Sequence, residues 1–178
     1  MKKTMMAALA AMFVLGGVSA VQAADTETVT EAELQEIAKM DVESAEPKLF
    51  PWLRVEDHRR ALRMNGRVIA WTSYPEIVVI GDDYPVLQHA LGEWSDEQKR
   101  RSEDETENME NAVRAFVPSE PFYDSVVVDH WGRVDEQVVS FALSSGTYDG
   151  GAHPQHAITG VTLSTETGEP VSIDAVIT

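Results

Sequence analysis

The chain has 178 residues, enough for one domain or slightly more, and its 43% hydrophobic and 25% charged residues are the mixture of a folded globular protein. Lysine and arginine number 14 against 30 aspartates and glutamates, a formal net charge of −16, which excludes the basic footprint that nucleic acid or an anionic lipid surface requires. Cysteine is absent, which excludes disulfides, thiolate metal centres, cysteine nucleophiles and a lipidated N-terminal cysteine.

Residues 1–23 read as a secretory signal. Lys2 and Lys3 give the positive start, Met5–Val18 an apolar run broken only by small residues, and Val21-Gln22-Ala23 a small-x-small cleavage site. Val18-Ser19-Ala20 is the alternative site. An uncleaved membrane anchor is the competing reading, against which stand the shortness of the run beside the roughly 20 residues of a span and the acidic stretch that follows. Cleavage removes two lysines and no acids, so the mature chain is the more acidic form. Export without cysteine fits a bacterial periplasmic or extracellular location, with no membrane insertion after cleavage.

Residues 24–51 are expected to be a loosely ordered segment with one short helix. Asp25–Thr30 is polar and reads as loose; Thr30 and Glu33 have capping-box spacing, and Leu34, Ile37 and Ala38 continue it as a helix over about Glu31–Met40. Asp41–Pro51 reads as a linker. Residues 52–178 are expected to form a single domain beginning at Trp52, Leu53 and Val55. Arg67–Thr72 and Glu76–Ile80 are strand candidates separated by Pro75. Gly81-Asp82-Asp83 ends the extended run and offers a capping carboxylate. Leu87, Leu91 and Trp94, then Met109, Val113 and Phe116, mark one long helix or two in tandem over Tyr84–Phe116, with Ser95–Glu110 as a solvated middle. Strands follow at Tyr123–Trp131, with Gly132 allowing a bulge, at Gln137–Ser144 and at His156–Ser164. A glycine turn at Glu166–Glu169 then returns the chain through Val171–Ile173. The fold class is α+β, an antiparallel sheet packed against one long helix.

The densest group of special residues is the segment from Gly146 to His156. Asp149, His153 and His156 suggest metal ligands or an acid–imidazole pair; the bland alternative is a hairpin loop whose glycines serve backbone geometry. His-x-x-His in an extended segment points its rings to opposite faces, and His58, His89 and His130 are scattered, so neither metal nor cofactor is expected. Ser144 and Ser145 lie near Asp149 and His153 without a hydrolase motif, and no catalytic residue is assigned. Trp52, Trp71, Trp94 and Trp131 with Tyr74, Tyr84 and Tyr148 suggest a glycan platform or, more plainly, core and half-buried sheet positions.

Val138-Val139-Ser140-Phe141, then Tyr148-Asp149-Gly150-Gly151-Ala152-His153, then Thr165-Glu166-Thr167-Gly168-Glu169-Pro170-Val171, with the upstream Tyr74-Pro75 and Asp83-Tyr84-Pro85-Val86-Leu87, resembles a bacterial extracytoplasmic domain. That domain stands beside polysaccharide deacetylase domains of the PdaC type and in the ectodomains of RsiV-type, lysozyme-sensing anti-sigma factors. The resemblance covers Arg67–Ile177 and implies an α+β envelope domain whose second half is missing after residue 178. Neither the deacetylase domain nor an anti-sigma segment accompanies it here. It implies a non-enzymatic binding domain whose candidate binding loop is Tyr148, Asp149, Gly150, Gly151, His153 and His156, and whose partner is a cell-wall component or a basic protein such as lysozyme. An acidic field independently favours basic partners, although solubility alone also accounts for the charge. Two rivals stand beside this reading: an envelope hydrolase or metal-dependent enzyme using Asp149, His153 and His156, and a fragment whose missing half holds the function.

N-terminal sequencing of the protein recovered from the periplasm or medium is expected to start at Ala24; a mature protein retaining Met1 would refute the signal reading.

Overall fold

The computed structural model describes residues 25–28, 43–48 and 50–171. The signal segment, the helix expected over Glu31–Met40 and the continuation from Ser172 lie outside the described residues. Among the described residues six strands and one helix follow in order: β1 (Asp25–Thr28), β2 (Leu53–Met64), β3 (Arg67–Val79), α1 (Pro85–Ala115), β4 (Phe122–Val134), β5 (Val138–Tyr148) and β6 (Gln155–Ser164). They form one sheet in sequence order. The class is α+β as expected, with one departure: β3 and β4, which flank the helix, run parallel, while every other neighbouring pair is antiparallel. A helical crossover is what a parallel pair requires.

The N-terminal part is more ordered than its polarity suggests. Asp25–Thr28, expected to be loose, is β1 and pairs with β2 from Asp25↔Arg63 to Thr28↔Arg60. β2 itself was hidden by its charges. It joins β3 through Asn65-Gly66, both at positive φ (54° and 78°), the two-residue turn that suits strand twist. The two strand candidates around Pro75 are a single strand, β3. Pairing to β4 stops at Ser73, so Pro75 falls where β3 has become an edge, the setting in which a strand tolerates proline. Two residues on, the Ile77 N–H turns to the helix and donates to Ser95 Oγ at 3.2 Å.

The helix is one piece of 31 residues with Tyr84 at its N-cap. No side chain caps it, contrary to the expected aspartate; Pro85 in the first turn has no N–H to satisfy. Its charged residues are solvated as expected, but its middle is not wholly so. Ser95, Ser102 and Thr106 are buried and continue the stripe that Leu87 and Leu91 begin and Met109 and Val113 end. Ser102 donates to Thr72 Oγ1 (3.0 Å) and Thr106 to the Ser102 carbonyl (2.7 Å). Thr72 is left to donate to Thr106 Oγ1 (2.9 Å), so the Thr72 and Thr106 hydroxyls each both donate and accept, and the Ser102 hydroxyl donates.

Apolar packing surrounds this polar junction. Toward the helix N-terminus, Leu87 and Leu91 pack with Val55, Ile77, Val128, Val139, Phe141 and Leu143, and Trp94 meets Phe141 edge-on at 5.4 Å. Toward its C-terminus, Met109 and Val113 pack with Leu62, Ile69, Ala70 and Phe122. The late hairpin docks on the same helix. Gly168, at φ +70°, brings its turn so close that a Cβ would stand 2.9 Å from Ala90 Cβ. The bulge expected at Gly132 is present as a register shift between Trp131 and Val134.

Residues 43–48, expected to belong to a linker, tie the two halves of the sheet together. Asp57 of β2 accepts the Ser44 N–H (2.9 Å) and hydroxyl (2.6 Å). The Ser44 Oγ in turn accepts the Val128 N–H (2.9 Å). The Ala45 N–H donates to the Val128 carbonyl (2.7 Å), and the Trp131 indole donates to the Ala45 carbonyl (2.7 Å). This strap fills the β4 edge beyond the point where β3 has left it.

Leu91, with no exposed surface, anchors the helix to both sheet halves. Leu91→Ala is expected to cost about 2–5 kcal/mol in denaturant unfolding; a loss below about 0.5 kcal/mol, the value of a surface change, would show that this face is not the core.

Candidate functional site

The loop singled out in the sequence is shorter than its glycines suggest. β5 runs through Gly146, Thr147 and Tyr148, and β6 begins at Gln155, so only residues 149–154 turn. Tyr148 closes β5 with its ring 6.1 Å from Tyr123 and 6.4 Å from Phe122. Asp149, Gly150, Gly151 and His153 are exposed. Gly150 has φ +90°, and a Cβ there would stand 2.9 Å from Phe122 Cε1, so both conformation and space demand glycine. His156 lies on β6 opposite Gly146, whose missing side chain leaves room for the ring: a Cβ would be 3.3 Å from His156 Nδ1 and from Ser125 Oγ.

The register shows what this loop adjoins. Arg59, Ser73, Ser125, Gly146 and His156 are successive partners across β2 to β6 and form one transverse row. Thr72 faces the helix, so this row lies on the opposite face. Ala61, Trp71, Tyr123 and Tyr148 form the adjacent row, with Trp71 stacked on Tyr123 at 5.1 Å and 18°. Trp71 is buried, at 2% exposure. The other aromatic residues are dispersed: Trp52 against Tyr84, Trp94 and Trp131 against Phe141, and Tyr74 against His58. They make no single platform and serve as core and half-buried sheet residues.

Ser144 and Ser145 stand inside the β5–β6 ladder opposite Ile158 and Ala157. Ser145 Oγ donates to the Ala157 carbonyl at 3.4 Å, and neither serine approaches a histidine through a hydrogen bond among the described residues. The donor atoms of Asp149, His153 and His156 do not form a convergent set either. The three metal-ligating side chains that converge within 4.8 Å among the described residues are Glu56, His58 and Glu76.

That trio escaped sequence reasoning because it depends on the β2–β3 register. Glu56 faces Glu76 directly, and His58 faces Tyr74. His58 Nε2 lies 2.6 Å from Glu76 Oε2, and its ring stacks on Tyr74 at 4.9 Å and 17°. Arg54 reaches Glu56 at 2.5 Å and Arg60 reaches Glu103 of α1 at 3.2 Å. Burial pushes the Tyr74 hydroxyl above its ordinary pKa and nearby Glu76, Glu103 and Asp96 add to the shift, with Arg60 opposing. The only sequence signal was the alternation Arg54, Glu56, His58, Arg60, which puts polar side chains on one face of a strand.

No family model and no curated protein matches the chain. Solved structures do. A DUF3298 family protein from Pseudomonas aeruginosa PAO1 is similar over 69% of this chain and 55% of its own, with 13% identity and a TM-score of 0.45. A DUF3298 family member from Bacteroides fragilis NCTC 9343 is similar over 69% of this chain and 59% of its own, with 12% identity and a TM-score of 0.44. The chain thus spans a little over half the length of either.

The loop's glycine and histidine have separable roles. Gly150→Val is expected to destabilise the fold by about 1 kcal/mol or more through backbone strain and the clash with Phe122, whereas exposed His153→Ala should stay within about 0.5 kcal/mol. Thermal unfolding of both variants decides it; a neutral Gly150→Val would remove the backbone explanation of this turn.

Proposed function

We propose that the chain is a non-enzymatic binding domain, exported and acting at the bacterial cell envelope, whose partner is an envelope component or a basic protein such as lysozyme. The observation that carries this reading is the placement of its acidic surplus. The outer side of α1 presents Glu93, Asp96, Glu97, Asp104 and Glu107 to solvent. Its arginines are largely engaged locally. Arg100 bonds Glu97 and Asp104, and Arg114 bonds Glu110. The Arg100 guanidinium hydrogen bond holds the Glu97 carboxyl below its ordinary pKa.

A rigid helix carrying such a face steers cationic partners by its field rather than by a pocket. The Gly150-Gly151-Ala152-His153 loop and the Thr167-Gly168 hairpin add the likeness to envelope domains of the PdaC and RsiV type. The metal-dependent rival has less support, since Asp149, His153 and His156 are not among the groups whose donor atoms lie within 4.8 Å of one another. No helix among the described residues is long and apolar enough to cross a membrane.

Titration of the mature protein with lysozyme at two ionic strengths, beside a pull-down from envelope extract, tests the proposal. Binding is expected at low salt and should weaken steeply toward physiological salt, where exposed charges more than about 8 Å apart are screened. No lysozyme binding at low salt ends the lysozyme version. Retention of nothing from the extract as well ends the binding-domain reading.

A further inference from the structure

The β2–β3 hairpin carries a group of side chains for which the proposed binding role has no use. We propose that Glu56, His58 and Glu76 form a binding site for one divalent transition-metal ion of the zinc class. The register sets Glu56 directly against Glu76 and puts His58 two residues along β2 on the same face. Their donor atoms already lie within 4.8 Å of one another.

Like charges directly opposed across a strand pair repel, and a dication between the two carboxylates removes that repulsion. The imidazole selects the class of ion. Calcium and magnesium prefer all-oxygen shells, whereas one nitrogen with carboxylate oxygens suits zinc and its neighbours. Three protein donors leave a fourth position for water. With metal bonds of about 2.0–2.2 Å, donor atoms in a tetrahedral shell stand roughly 3.3 Å apart. The His58–Glu76 contact of 2.6 Å must therefore open by less than about 1 Å. That hydrogen bond occupies the place the ion would take.

The site is both ordered and open. Stacking on Tyr74 fixes the His58 ring, and strand backbone holds all three residues, the kind of rigid support a metal site needs. The His58 and Glu76 side chains are 40% and 42% exposed, so an ion enters without unfolding. Arg54 is the internal competitor: its guanidinium reaches Glu56 at 2.5 Å while remaining 55% exposed, free to swing into solvent.

Calorimetric titration of the metal-stripped full-length protein with zinc chloride tests the site. Saturation at one zinc per chain is expected. His58→Ala and Glu76→Gln should each weaken binding at least tenfold with the circular dichroism spectrum unchanged, Arg54→Ala should tighten it, and His153→Ala should leave it as in the wild type. A wild type that takes up no zinc overturns the proposal. So does a folded His58→Ala or Glu76→Gln variant that binds like the wild type, or a His153→Ala variant that loses the ion, which would place it on the β5–β6 loop. This site stands independently of the partner proposed above.

Discussion

The fold depends on a four-residue parallel seam. Ala70 to Ser73 of β3 pair with Phe122 to Ser125 of β4, and among the described residues this is the only ladder joining the meander β1–β2–β3 to the meander β4–β5–β6. So short a ladder is a weak joint, and the structure reinforces it on each side. On the helix face, Thr72 is locked to Ser102 and Thr106 by a closed set of hydroxyl bonds. On the other face, Trp71 stacks on Tyr123 across the seam. Where the strands part, the Ser44–Ala45 strap bridges Asp57 to Val128 and Trp131. Remove the seam and α1 would have two half-sheets to cover instead of one.

Much of this order was written in the sequence, and the places where it was not are physically informative. The β5 and β6 strands, the Gly168 turn and the apolar ends of α1 follow from simple periodicity. The middle of α1 does not, because serine and threonine read as solvent-facing until a matching hydroxyl on β3 supplies their bonds. The β2 strand was masked by Arg54, Glu56, Asp57, His58, Arg59 and Arg60, although Asn65-Gly66 marked a hairpin between two apolar-containing runs. Pro75 divided β3 on paper because the sequence does not tell where a strand ceases to have a second neighbour. The same limit governs the sites. A loop rich in glycine is local and legible, but Glu56 and Glu76 meet only through register, and register is a property of two strands at once.

The two hairpin regions also divide the chemistry. The β5–β6 turn is governed by backbone demands, with Gly150 fitted against Phe122 and the polar side chains left in water. The β2–β3 surface is the reverse: ordinary strand geometry gathers His58, Tyr74 and two carboxylates into contact, with Arg54 and Arg60 at its borders. Conspicuous residues thus mark a bend, and inconspicuous ones mark a concentration of donors. The acidic face of α1 stands apart from both and acts through distance rather than contact.

The strap also joins residues far apart along the chain. Its bonds join Ser44 to Val128 and Ala45 to Trp131, partners 84 and 86 residues apart. The hairpins need only short loops, and such structures close in about 1–10 μs. Contacts between distant positions wait for the entropy of a long closure to be met. In a chain that emerges from its N-terminus, Ser44 can meet Asp57, 13 residues on, well before β4 exists, whereas the bonds to Val128 and Trp131 wait for that strand. The β4 half of the clasp thus has the longest closure to meet. Interactions that form after the folding transition state govern how slowly the native state opens rather than how quickly it is reached. A clasp of residues 44 and 45 that forms after the transition state would slow opening of the native state, and so bear on survival among proteases, more than it would change the speed of folding.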